Sequence, residues 1–346
     1  MAELTYYINS ASSGGNGTTD ATSGANAAYA WFGSFNTARK TDLVQAGNNI
    51  VVLLEGPLAS RMDITGWTTS AANDIVVKQK PGGAQARFEY ADSNGHVLPR
   101  TDFITIDGIE FNNTSTGTGM VINSAIGTFN VANKLIIRNC KFWNNRADNG
   151  SMIRVSAANA IVEFYNNVCV TKSRWIDVTL CAQATVSYNS VKMLSDQVGA
   201  YCNSASTFYN NYIGKVSAGA QPDFWHSNGV LGSNNVSSDT SVSTASIGTL
   251  VSKALADQFV NVTTGSEDFE PKAGADVLGA GVAVAGITTD FNGNTRDVST
   301  PDVGAYEAAG AVVTLTGTIT SSKNEADIVA GGETIILTLT GDTWVV

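Results

Sequence analysis

Residues 135–145 read LIIRNCKFWNN: an apolar run, an Asn, one residue, a large apolar residue and then further Asn. The phrase returns along the chain as FITIDGIEFNN at 103–113, IVEFYNNVCV at 161–170, TVSYNSVKM at 185–193, TFYNNYI at 207–213 and VLGSNNVS at 230–237. With Gly108, Asn139, Asn167, Ser190, Asn211 and Asn235 taken as equivalent, the successive intervals are 31, 28, 23, 21 and 24 residues. Intervals of that size are the signature of a solenoid. Each phrase alternates β-branched or aromatic residues with polar ones and ends in Asn or Gly turn chemistry, as strands do. No window sustains the i, i+3, i+4, i+7 spacing that a helical repeat needs. The pattern predicts an all-β fold, a parallel β-helix in which each coil buries its inward residues by stacking on its neighbours.

Residues one period apart lie above one another in such a coil. Asn113, Asn145, Asn166, Asn189, Asn210 and Asn234 are therefore expected to form ladders at the bends, where Asn tolerates left-handed backbone and satisfies turn groups. Each net hydrogen bond in such a ladder contributes roughly 0.5–1.5 kcal/mol.

The composition agrees with a long β core: 346 residues, 43% hydrophobic but only 14% charged, with Lys, Glu and Arg too scarce for much helix. A net charge of −10 argues against a nucleic-acid partner, which requires a basic footprint. No run of 18 apolar residues is present, so no helical membrane insertion is expected. The N-terminal residues MAELTYYINS lack a basic segment followed by an apolar one, so no export signal is visible. Either a signal has been removed, or the chain folds in a cytoplasm and reaches the outside as part of something else. Cys140, Cys169, Cys181 and Cys202 contain no CxxC pair, and two His in the whole chain leave little for zinc. The cysteines read as buried free thiols, with a Cys181–Cys202 pair, 21 residues apart, as the alternative.

At the N-terminus, Tyr6 to Asn9 predicts a short strand followed by a Ser, Gly, Thr and Asn loop. Residues 31–44, WFGSFNTARKTDLV, hold the one amphipathic helix, with Phe32, Phe35, Ala38 and Leu43 on its buried face. A helix laid over the first rung would cover a strand edge that otherwise invites aggregation. GNNIVVLLEG at 47–56 then opens the barrel, rungs follow at 50–54, 75–78 and 103–106, and 82–100 reads as a longer loop or an irregular rung. The succession of a YYI strand, a Gly-rich loop, a Trp-containing helix and GNNIVVLLEG resembles the N-terminal entry of right-handed, pectate-lyase-like β-helix proteins.

Beyond a Ser- and Thr-rich loop at 237–248, residues 268–307 contain DFEPKAGADVLGAG, TTDFNGN and PDVGAYE. This passage resembles the closing segment of bacterial and phage β-helix proteins, with Ala273-Gly274-Ala275 where Ser-Pro is usual and Thr295 before Arg296. Asp268, Asp276, Asp290, Asp297 and Asp302 read as turn residues, so no cofactor or metal is expected, with a calcium loop as the alternative. Residues 312–346 alternate strictly about a Gly-Gly turn and resemble the opening strands of a phage-type immunoglobulin-like module. They stop too early to close a sandwich. Either the chain is a fragment of a longer one, or these strands add to the barrel or to a neighbouring subunit, with Thr334, Ile336, Thr338 and Trp344 as candidates for that assembly. The expected architecture is an N-terminal strand, loop and cap helix (1–48), the right-handed parallel β-helix (49–248), a closing segment (249–310) and a C-terminal β-hairpin or partial β-sandwich extension (311–346).

Aligning the coils by their Asn phrases puts Met152, Trp175, Tyr201 and Trp225 in one column and Arg154, Asp177, Asn203 and Ser227 in another. Trp175, Tyr201 and Trp225 are candidates for stacking on a glycan, and the alternative is that these rings fill the barrel or an interface. Asp177, Arg154 and His226 are the candidates for catalysis. Hydrolysis needs two carboxylates roughly 5–10 Å apart, and Asp177 has no clear acidic companion: Glu163 lies on another strand and Asp196 and Asp223 in loops. A lyase would want an Arg or Lys base beside calcium-binding acids, and only Arg154, Lys172 and Arg174 are near.

The sequence therefore favours a bacteriophage virion structural protein, a capsid-decorating or tail-spike-like β-helix located on the virion. Its expected partners are other virion proteins or further copies of itself, as in a homotrimer, together with cell-surface polysaccharide. A polysaccharide lyase or glycoside hydrolase is one alternative, and an extracellular bacterial surface adhesin is another.

Overall fold

Leu135 and Ile137 turn into the protein while Ile136 and Arg138 stay at its surface, the alternation that the phrase predicts. Their strand, Asn133–Arg138, lies parallel and in register between Ile104–Asp107 and Ala160–Tyr165. The computed structural model describes residues 2–89, 95–113, 121–123, 133–145, 150–155, 158–202, 205–217, 219–226, 231–244 and 248–308. Seven successive coils each give one strand to each of three parallel sheets, as in Ala160–Tyr165, Val168–Thr171 and Arg174–Asp177. The first and second sheets have nine strands and the third has seven. This is a right-handed parallel β-helix.

The bend between the first and second sheets fixes the stacking. Asn139, Asn166, Tyr188, Asn210 and Asn234 all take left-handed backbone there, with φ between 53° and 57°, and Gly108 does the same one coil earlier. The next residue turns inward, and Asn167, Asn189, Asn211 and Asn235 form a buried column. Asn189 Oδ1 accepts from the backbone N–H and the Nδ2 of Asn167, at 2.9 and 3.0 Å. Asn189 Nδ2 in turn donates to Asn211 Oδ1 at 2.8 Å and to the carbonyls of Phe164 and Ser187. Asn211 and Asn235 repeat the pattern one coil on.

The expected ladder thus exists, with corrected membership. Asn166, Asn210 and Asn234 are the outward left-handed residues, and the positions at coil spacing are Gly108, Asn139, Asn166, Tyr188, Asn210 and Asn234. A separate, shorter ladder runs from Asn113 to Asn144, rather than Asn145, and on to Thr171 and Ser173.

Inside the barrel Phe88, Phe111 and Phe142 stack at 5.4 and 5.1 Å, in register on the second sheet. Above them that column narrows to Cys169 and Val191, and the volume is made up by Phe164 from the first sheet and Trp175 from the third. Burying one such ring stabilises by about 1.5–3 kcal/mol.

The N-terminal end is closed as expected. The first strand, Ala2–Asn9, pairs along its whole length with Asn48–Glu55. Helix Phe32–Arg39 places Phe35 against Tyr6, Tyr29, Phe32 and Trp67. Ala38 is exposed, contrary to its expected place on the buried face; Asn36 points inward instead and accepts from Trp67 Nε1 at 2.6 Å. A second short helix, Leu43–Ala46, starts from an Asp42 cap and buries Leu43. The segment 82–100, expected as a longer loop or an irregular rung, contains the strands Arg87–Glu89 and Val97–Pro99. Within 237–248, expected as a loop, a 3-10 turn spans Ser241–Thr244, and Gly248–Leu250 adds a last strand to the second sheet.

Two buried cations fasten the closing segment to the barrel. Lys192, fully buried on the second sheet, donates to Val262 O, Thr264 Oγ1 and Glu267 Oε1 at 2.7–3.0 Å. Arg296 reaches Asn166 Oδ1 and the carbonyls of Gly304 and Ala305, pairs with Glu307, and lies 3.9 Å from the Tyr188 ring. Residues 309–346, and with them Thr334, Ile336, Thr338 and Trp344, lie outside the described residues.

Asn189→Ala removes an acceptor from two buried donors, and an orphaned buried donor costs roughly 1–3 kcal/mol. A loss of about 2–5 kcal/mol is expected in denaturant unfolding; a change under about 0.5 kcal/mol would contradict the ladder's role. All four cysteines are buried and unpaired, and burial pushes the Cys181 and Cys202 thiols up to about 12. A disulfide-exchange reagent should therefore find no reactive thiol in the native chain and all four after unfolding. Recovery of only two on unfolding without reductant would instead reveal a Cys181–Cys202 bridge.

Candidate functional site

The outer face of the third sheet gathers the residues with chemistry. In-register pairing joins Arg154 to Asp177, Asp177 to Tyr201 and Tyr201 to Trp225, so these four form one column. The column continues downward to Asn123. The two columns expected from the Asn phrases are therefore wrong by two residues at Trp175 and Asp177. Trp175 and Ile176, whose N–H groups both point at Gly199 O, are both buried.

Trp175 is consequently 0% exposed and packs edge-on against Phe164 at 5.8 Å, inside the barrel. It has no place on a glycan-binding face. Tyr201 and Trp225 do lie outside, half-buried, with their rings parallel to within 2° and 4.0 Å apart. Arg174, from the coil below, lays its guanidinium over the Tyr201 ring at 4.5 Å. Both faces of Tyr201 are thereby taken, by Arg174 from below and Trp225 from above, and the tyrosine offers its edge and hydroxyl. Trp225, on the last strand of the sheet, retains one ring face that Tyr201 does not cover.

Asp177 is held in place. Its Oδ1 accepts from Thr179 Oγ1 at 2.8 Å and Thr179 N at 3.2 Å, and its Oδ2 lies 3.5 Å from Arg174. The positions in register with it are Arg154 and Tyr201, so the ladder sets no second carboxylate beside it. His226 is in register with Cys202, one position off the column. Asn203 and Ser227 lie outside the described residues. Arg61, Asp63 and Arg100, which the sequence analysis passed over, extend the same face toward the N-terminus, with Asp63 within 3.8 Å of both arginines. From Met62–Ile64 to Phe224–His226 the sheet takes six inter-strand steps, about 29 Å at 4.8 Å each. Among the described residues of this face, Arg61, Arg100, Arg154 and Arg174 outnumber Asp63 and Asp177, in a chain whose net charge is −10.

Beneath the Trp225 strand lies a buried acidic knot. Asp223 Oδ2 accepts from Ser238 N, Ser238 Oγ and Asp239 N, and Lys215 Nζ stands 3.7 Å from its Oδ1. Burial, reinforced by the Asp239 charge, pushes the Asp223 carboxyl up to about 6. Asp196 accepts from Ala220 N and Gln221 N, which hold its carboxyl below the ordinary range. Together these groups tie down the turns that lead into and past Phe224–His226.

The acids of the closing segment work as turn anchors. Asp290 accepts from Asn292 N, Asn294 N and Glu307 N, and Asp302 from Gly279 N and Ala308 N. Asp297 accepts from Ser299 and Thr300, which lowers its carboxyl to about 2. Asp276 pairs with Lys253, and Asp268 accepts from Glu270 N. Among the described residues no three acidic, His or Cys side chains converge as a metal site would need.

No protein-family model matches the chain, and no curated protein matches it. Among solved structures it is similar to the crystal structure of pectate lyase Pel9A, at 16% identity over 89% of this chain and 97% of that one, with a TM-score of 0.34.

An Asp whose folded value lies above its unfolded 3.8 destabilises the fold once ionised, so its contribution is favourable at low pH and is lost as pH rises from about 4 to about 6. Asp223→Asn should abolish this decline, gaining up to about 3 kcal/mol relative to the parent between pH 4 and pH 7 in urea unfolding. Identical pH slopes for the two proteins would contradict the assignment.

Proposed function

We propose that this chain is a non-enzymatic, glycan-binding β-helix that holds a polysaccharide along the outer face of its third sheet. The observation that carries the reading is the single column Arg154–Asp177–Tyr201–Trp225, with Arg174 laid over it. Such a strip offers a ring face at Trp225 for sugar C–H groups, a tyrosine hydroxyl and carboxylate for hydroxyls, and guanidinium groups for any acidic substituent. The excess of arginine in an otherwise acidic protein supports an anionic glycan over a neutral one.

Catalysis is the weaker reading of the same face. Asp177 is engaged by Thr179 and Arg174 and has Arg154 and Tyr201, not an acid, as its in-register neighbours, whereas glycoside hydrolysis uses two opposed carboxylates. A lyase remains the alternative, with Arg154 as base and Asp177 its acidic neighbour; it predicts unsaturated products that Asp177→Asn abolishes.

The setting we propose is a bacteriophage virion, as a capsid-decorating or tail-spike-like component that meets other virion proteins or further copies of itself, a homotrimer included. The closing passage at 268–307, which resembles that of bacterial and phage β-helix proteins, and the resemblance of residues 312–346 to a phage-type module support it. Ordered copies of the chain on particles imaged by cryo-electron microscopy are the expected result, and particles without it would overturn the setting while leaving the glycan reading intact.

Affinity electrophoresis of the whole chain through acidic and neutral polysaccharides tests the binding itself. Retardation by an acidic polymer is expected, weakened roughly tenfold by Trp225→Ala, with no release of new chain ends. Equal retardation of parent and variant, or cleavage of the polymer, would overturn the proposal.

A further inference from the structure

A second site lies on the outer face of the first sheet, where strands Ile75–Gln79, Ile104–Asp107 and Asn133–Arg138 run side by side. Asp74, Phe103 and Lys134 each stand one residue before Ile75, Ile104 and Leu135, which are paired in register and buried in the barrel. The three therefore hold equivalent places on three successive coils, with Asp74 and Lys134 about 10 Å apart at 4.8 Å per strand step. Between them the surface sinks into a pocket of about 200 Å³, lined also by Thr105 and Ile136.

Phe103 enters this pocket on left-handed backbone, with φ at 50°, a strained conformation for a bulky residue. The strain is held from two sides: Thr69 Oγ1 donates to Asp102 O at 2.6 Å, and Ile75 N donates to Phe103 O at 3.1 Å. The Phe103 ring meets no other ring and no cation among the described residues. Asp74 is half-buried and makes no ion pair among the described residues; burial, with the Glu3 charge nearby, lifts its carboxyl above the ordinary value. Lys134 at the far rim is already neutralised by Glu163 at 2.7 Å. The pocket thus presents an aromatic ring, aliphatic surface and one uncompensated negative charge.

The chain itself shows what fits such a set. Among the described residues the other aromatic side chain on left-handed backbone is Tyr188, with φ at 54°. Arg296 lays its guanidinium 3.9 Å from the Tyr188 ring while pairing with Glu307 at 3.2 Å. The first-sheet pocket repeats the ring and the carboxylate without the arginine. We infer that it receives an arginine side chain of a basic partner protein, the guanidinium pairing with Asp74 and the stem lying against Phe103 and Ile136. A net charge of −10 draws such a partner, and a planar guanidinium both stacks on a ring and bonds a carboxylate, which an ammonium does less well. The site is separate from the third-sheet face and does not depend on the glycan reading.

The probe is N-acetyl-arginine methylamide, titrated into the isotope-labelled full chain and followed by NMR. Saturable shifts centred on Asp74, Phe103, Thr105 and Ile136 are expected. Asp74→Asn should weaken binding about 3- to 10-fold. Phe103→Gly, which accepts the left-handed backbone and removes the ring, should weaken it about 2- to 5-fold. An unchanged circular dichroism spectrum verifies the fold of each variant. The citrulline analogue, uncharged and of the same shape, should not bind, and Trp225→Ala should bind as the parent does. No saturable shifts at these residues, or equal binding by Asp74→Asn or by the citrulline analogue, would overturn the inference. Tighter binding by free arginine than by the probe would assign the pocket to a small molecule and overturn the partner.

Discussion

The column of buried amides at the first bend is the constraint on which the rest depends. Parallel strands slip easily in principle, and a slip of one residue would turn every inward side chain outward. Asn167, Asn189, Asn211 and Asn235 prevent this because each is satisfied only when the coils above and below stand at one height. Away from that height a buried Nδ2 or N–H loses its acceptor, at roughly 1–3 kcal/mol for each orphan. With the bend locked, the phenylalanine stack inside and the polar column outside follow from geometry.

The same regular stacking shapes what the third sheet can do. Rings one coil apart fall onto each other, as Tyr201 and Trp225 do at 4.0 Å, so a ladder of aromatics consumes its own faces. Only the terminal ring of the ladder can offer a face to a ligand, and the others contribute edges and hydroxyls. Arg174 closes the lower end of this stack while pairing with Asp177, the arrangement from which the proposed glycan binding is argued.

Much of this was legible in the sequence because the repeating phrase encodes the coil directly: apolar alternation gave the strands and the Asn pairs gave the bends. The cap helix was visible through Phe32, Phe35 and Leu43. What the repeat could not show was which Asn of each pair turns inward, since Asn166 and Asn167 are chemically identical and differ only in backbone conformation. The irregular pairing at Trp175 was also hidden, because hydrophobic spacing alone does not reveal two successive buried residues on one strand. The register puts Asp177 beside Tyr201, and burial takes Trp175 out of the site. The fastenings by Lys192 and Arg296 join residues 75 and 130 positions apart, and no local pattern announces them.

The most direct test of the account is a crystal structure of the chain with a bound acidic oligosaccharide. The account predicts an intact sugar chain lying along the third sheet, one ring against the Trp225 face that Tyr201 does not cover and its charged groups near Arg154 and Arg174. A sugar bound elsewhere on the barrel, or a cleaved linkage beside Asp177, would contradict it.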